Sequence, residues 1–167
     1  MPPIYYSYLP NNGLFQQVMN GSYTSPKQVN LANYFTSYSK DEIKLLDDIN
    51  NLRKKEDMAP LNLSNELSKG ADIYSNEMGT NLEFKHPAQR YGDAALNMIA
   101  DLGGYKGNIT SEILAFGYKN AQGTFSELNK RDEHKSVILN KYATDIGISK
   151  IGEKWIVVTG KEDENKR

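Results

Sequence analysis

The sequence predicts an α+β domain in which helices pack against a small, largely antiparallel sheet. Three observations carry this expectation. Apolar residues recur at helical spacing over Ile43, Leu46, Ile49 and Leu52, and again over Leu67, Ala71, Tyr74 and Met78. Ser39 with Glu42, and Thr124 with Glu127, have the spacing of capping boxes. Towards the C-terminus Ile146 and Ile148 alternate, Gly152 marks a turn, and Trp155 to Val158 reads as a returning strand.

In chain order, residues 1–38 form a Tyr-rich arm holding six of the 11 tyrosines: Tyr5, Tyr6, Tyr8, Tyr23, Tyr34 and Tyr38. That is more aromatic surface than a solvated tail carries, so the arm is expected to pack on the domain. The main domain, residues 39–161, opens with a helix capped by Ser39 and running to Lys55. Leu61 to Leu63 is a short extended link after Pro60. Ser64 then caps a second helix, with Gly79 as its stop. A loop carries Phe84, His86 and Pro87. A third helix is expected from Asp93 to Leu102, ended by Gly103 and Gly104. Ser111 to Phe116 is a strand or an extended run, Thr124 opens a short helix, and residues 162–167 form a charged tail.

Composition narrows the function. The 20 basic and 21 acidic residues are interspersed and leave a net charge of −1, which offers no nucleic-acid groove and no polybasic membrane patch. No window approaches the roughly 18 apolar residues of a transmembrane segment. The first ten residues lack the charged and apolar regions of a signal peptide. An exported protein would therefore be present here in mature form, with surface anchoring through a removed N-terminal region. Cysteine is absent, which removes disulfides, thiolate nucleophiles and cysteine zinc sites.

Few residues offer chemistry. The two histidines, His86 and His134, stand 48 positions apart and form neither an HExxH nor an i, i+4 pair. Read alone, they are better taken as unrelated surface or loop histidines than as a site. Glu112 is the distinctive carboxylate, since it sits at the lip of the apolar run Ile113 to Phe116. Such a group is either an exposed strand-edge residue or a partly buried one that needs a cationic or metallic partner. No G-x-S-x-G elbow is present, and Gly103, Gly104 and Gly107 follow a helix instead of preceding one, so they cradle no phosphate.

Taken in order, the pieces resemble the CAP superfamily (cysteine-rich secretory proteins, antigen 5 and plant pathogenesis-related proteins), in its bacterial SCP-like branch. Ile43 to Arg53 is similar to the family's first helix with its Asn-x-x-Arg ending. Pro60 to Ser75 is similar to the stretch leading into the second helix. Ser111 to Ala115 resembles the Gly-Glu-Asn-Ile-Ala motif, and His134 to Asn140 the bacterial His-Arg-Ala-Asn-Ile-Leu motif. Asp145 to Ser149 and Trp155 to Val158 look like the closing strands.

The resemblance covers residues 40–160 and implies a three-layer α-β-α sandwich with an open cleft. It places His86, Glu112 and His134 in that cleft, where two imidazoles and a carboxylate could hold zinc. Departures are Ser111 for glycine, Ile113 for asparagine and Glu133 before His134. Arg131 falls where eukaryotic-type members carry a second cleft glutamate. The implied function is that of a secreted or cell-surface, non-catalytic binding module for an extracellular lipid, glycan or host protein. The alternative is a metal-dependent hydrolase of peptide or cell-wall substrates.

Overall fold

The computed structural model describes residues 37–78 and 85–166. Nearly all of the arm, the expected stop at Gly79, Phe84 and Arg167 lie outside the described residues. Helix α1 (Lys40–Lys55) leads to β1 (Asn62–Leu63) and α2 (Asn65–Met78). Then come α3 (Pro87–Tyr91), α4 (Met98–Gly103), β2 (Gly107–Phe116), α5 (Ala121–Lys130) and α6 (Asp132–Ile138). The chain closes with β3 (Asp145–Ile151) and β4 (Lys154–Glu162). The four strands form one sheet in the order β1-β3-β4-β2. β4 pairs antiparallel with β2 and β3, whereas β1 runs parallel to β3, so the sheet is mixed. β2 is an edge strand.

Alternation along the strands gives each face its own core. Leu114, Ile156 and Val158 point into one, packing with Leu67, Ala71, Tyr74 and Met78 of α2 and with Met98, Ile99 and Leu102 of α4. Ile113, Ile148, Trp155 and Val157 point into the other, with Leu45 and Ile49 of α1, Leu128 of α5 and Ile138 of α6. The sheet is thus the middle of three layers.

Contact between α2 and the neighbouring elements depends on glycine. A β-carbon at Gly70 would lie 1.9 Å from the Ile99 carbonyl oxygen, and one at Gly103 would lie 1.7 Å from that of Glu66. The α2 and α4 backbones touch there without intervening side chains.

Local rules account for most element ends. Ser39 Oγ accepts from the Glu42 amide at 3.2 Å, and Glu42 Oε1 accepts from the Ser39 amide at 3.0 Å, completing the expected capping box. Ser64 Oγ accepts from the Leu67 amide at 3.1 Å and starts α2.

Four expectations need correction. The buried row of α1 is Glu42, Leu45, Ile49 and Arg53, while Ile43 is 39% exposed. The face is rotated because the Arg53 guanidinium is drawn inwards. Its Nε donates to the Ala59 carbonyl at 2.7 Å, and its Nη1 donates to those of Ile138 and Asn140 at 3.0 and 3.1 Å. The third helix is split into a 3-10 turn at Asp93–Ala95 and α4. At the break Asn97 Oδ1 accepts from the Ile109 amide at 2.9 Å, a bond that ties the turn to β2. Helix α5 begins earlier than Thr124, because Asn120 Oδ1 accepts from the Gly123 amide at 2.9 Å and caps it. The stretch read as a charged tail starts inside β4, which runs to Glu162 and is followed by a 3-10 turn at Glu164–Lys166.

Two carboxyls on α2 make stability depend on pH. Burial raises Asp72 to about 7, reinforced by Glu42 nearby. Burial also raises Glu77 to about 7. Unfolded, both groups ionise near pH 4, so between pH 4 and 7 the folded chain holds protons that the unfolded chain has released. Stability therefore falls as pH rises through this window and is greatest on its acid side. We expect Asp72→Asn to raise the pH 8 melting temperature, corresponding to about 1–3 kcal/mol, and to leave the pH 4 value nearly unchanged. Equal shifts at both pH values would remove Asp72 as the source.

Candidate functional site

Three elements bring the candidate residues into place. Pro87 occupies the first position of α3 and restricts the residue before it to extended backbone. His86 accordingly has φ −57° and ψ 144°, and its amide donates to Gln89 Oε1 at 3.1 Å. Glu112 lies in the middle of β2 opposite Val158. By alternation it shares a face with Leu114, the face covered by α2 and α4.

His86 and Glu112 meet there. The imidazole Nδ1 and the carboxylate Oε1 are 2.7 Å apart, and the side chains are 35% and 15% exposed. With the carboxylate as acceptor, Nδ1 carries the proton, which leaves Nε2 as a free lone pair in the neutral ring. The second carboxylate oxygen, Oε2, is buried and has no hydrogen-bond partner among the described residues.

Below the pair sits Tyr74, which is fully buried. Its hydroxyl donates to the Lys85 carbonyl, immediately before His86. Burial pushes this phenol far above its usual range, with the Tyr91 phenol and the Glu112 charge acting in the same direction and Arg90 opposing them. It is therefore a neutral donor at every working pH.

His134 lies in the first turn of α6, which packs against β2 from the opposite core. It is half-buried, and its Nδ1 is buried without a hydrogen-bond partner among the described residues. The structure therefore joins His86 to Glu112, and it sets His134 on a neighbouring element without a hydrogen bond to either.

Arg131 stands between α5 and α6 and is exposed, and its Nε lies 2.5 Å from Glu127 Oε1. Glu127, only 15% exposed, also accepts from the Tyr118 hydroxyl. The half-buried acid of this region is thus Glu127, which no motif marks, while Asp132 and Glu133 are exposed. The one signal for it in the sequence is the i, i+4 spacing from Arg131.

Among the described residues, no three His, Asp or Glu side chains are grouped so as to hold a metal ion. In the expected set of His86, Glu112 and His134, His86 is bonded to Glu112 through Nδ1 and keeps its Nε2 lone pair unused.

A family model described as "CAP: Cysteine-rich secretory protein family" matches residues 46–154, well over half of the chain. The chain belongs to the cysteine-rich secretory protein (CAP) family.

One curated relative of this CAP domain is "Uncharacterized protein YkwD" of Bacillus subtilis. It is 29% identical over 123 residues, covering 72% of this chain and 47% of the relative. The chain thus spans about half the length of that relative.

Among solved structures, an outer surface protein of Borrelia burgdorferi superposes with a TM-score of 0.63 at 25% identity, covering 77% of this chain and 98% of the other. An extracellular protein containing a SCP domain from Bacillus anthracis gives 0.62 at 14% identity, over 77% of this chain and 45% of that one. A cysteine-rich secretory protein from Staphylococcus aureus gives 0.62 at 16%, over 84% and 44%. The last two likenesses establish the fold alone. Together these matches agree with the α+β architecture and the bacterial CAP resemblance read from the motifs, the mixed sheet being the one difference. No helix among the described residues is long and apolar enough to cross a membrane.

Proposed function

We propose that this CAP domain is a non-catalytic binding module working outside the cell or on its surface. Its ligand would be taken at the edge of β2, around His86, Glu112 and His134. The observation that carries the reading is the pair of buried, unpartnered polar atoms on adjoining elements, Glu112 Oε2 and His134 Nδ1. Buried polar groups in folded proteins nearly always have partners, so two left open beside a half-buried imidazole suit a polar ligand that supplies them. The extracellular setting is supported by the names of the similar structures, an outer surface protein and an extracellular protein.

The test uses the only two histidines of the chain as reporters. The protein, labelled with 15N in its imidazoles, is titrated with soluble glycans and short-chain phospholipids. We expect at least one class to shift both ring signals, and Glu112→Gln to weaken that binding about tenfold, the cost of one charge-assisted hydrogen bond. Rings that ignore the whole panel would count against the site. Cleavage of unfolded casein that disappears in Glu112→Gln would overturn the non-catalytic reading.

A further inference from the structure

We propose that Tyr74 is the positioning residue of the His86–Glu112 pair, an inference that rests on reading this pair as the working part of the site. Several restraints hold the backbone at His86. The local ones are the fixed ring of Pro87, the 3.1 Å bond from the His86 amide to Gln89, an exposed residue three positions on, and the bonds from the Gln89 and Arg90 amides to the His86 carbonyl at 3.0 and 3.2 Å. All of them travel with the α3 start and say nothing about how far it sits from the sheet. The bond from the Tyr74 hydroxyl to the Lys85 carbonyl is of another kind, because it ties the backbone beside His86 to α2.

Tyr74 is well placed for this role. Its ring is fully buried in the core that α2 and α4 build on the sheet, among residues that admit little movement. A Tyr side chain has two soft torsions, so a packed ring presents its hydroxyl at a fixed point. The core then dictates where the Lys85 carbonyl lies, and His86 follows one residue later. Glu112, on the strand covered by the same core, is fixed independently. The 2.7 Å approach of Nδ1 to Oε1 joins two positions set by one rigid body. A merely structural role would have the hydroxyl do no more than satisfy a buried carbonyl.

Tyr74→Phe separates the two, because it keeps the ring and removes only the hydroxyl. In the ligand-free wild-type protein, proton NMR is expected to show the His86 Hδ1 signal far downfield and slow to exchange with water. In Tyr74→Phe that proton should exchange at least about tenfold faster or vanish, with the His134 ring signals unmoved. Glu112→Gln should produce the same loss and identify the signal. Gln89→Ala, which alters an exposed side chain, should retain it. Tyr74→Phe with a lower melting temperature and an intact His86 signal would overturn the proposal. So would loss of the signal in Gln89→Ala, a result that does not depend on Tyr74→Phe folding. Ligand enters nowhere in the measurement, so a failed binding screen would leave this inference standing.

Discussion

Gly70→Ala is expected to destabilise the protein by about 3 kcal/mol or more. On helix propensity alone the same change would help by about 1 kcal/mol, since alanine is the better helix former. Packing overrides that gain. The new carbon would lie 1.9 Å from the Ile99 carbonyl oxygen and 2.9 Å from its carbon, and neither atom is the end of a flexible side chain. Relief requires α4 to move off α2, which opens a gap among Leu67, Met98, Ile99 and Leu102. Urea unfolding gives the measurement, and a midpoint unchanged or raised would mean that the helices are not in backbone contact. Gly103→Ala, acting from the other side, should match it, and the double variant should cost less than the sum, because one separation relieves both clashes.

Arg53→Ala should cost about 3 kcal/mol, and Arg53→Lys should recover less than half of it. Arg53 is 2% exposed, and its guanidinium donates to three backbone carbonyls in two separate segments, Ala59 on one side and Ile138 with Asn140 on the other. Truncation leaves these acceptors without their donor and removes the packed stem. An ammonium can reach one carbonyl cluster but cannot fork to both. Full recovery in Arg53→Lys, measured by thermal unfolding at pH 7, would reduce the residue to a buried charge with no directional role.

The Arg53 network also shows what could be read from the sequence. The period of α1 is plain in Leu46, Ile49 and Leu52, but the buried row passes through Arg53, and no hydrophobic count places an arginine in a core. Two of its three acceptors lie 85 and 87 positions away and are in reach only once α6 has docked. The Asn-x-x-Arg ending names the residue without giving its reason. At Asp93–Leu102 the helical pattern is sound in composition. It is overridden by the side chain of Asn97, which serves β2 instead of a helix.

At the candidate site, His86, Glu112 and His134 are all legible through motif order, and the His86–Glu112 bond is what a carboxylate at the lip of an apolar run needs. Tyr74 and Glu127 are not. Tyr74 reads as an ordinary core position of α2, and nothing local shows that its hydroxyl reaches Lys85. Glu127 looks like one more charge on a helix until its burial is known.

The sheet that separates the two cores has a mechanical consequence. Glu112 is carried by the face that α2 and α4 cover, whereas His134 rides on α6, which is anchored in the opposite core through Ile138. The two layers build separate cores on the two faces of the sheet, which forms the seam between them. A molecule that engaged both residues would act as a clasp across that seam. Its binding free energy would be spent on holding the outer layers in register, and amide exchange in α6 and α3 would slow together even though these helices lie in different layers.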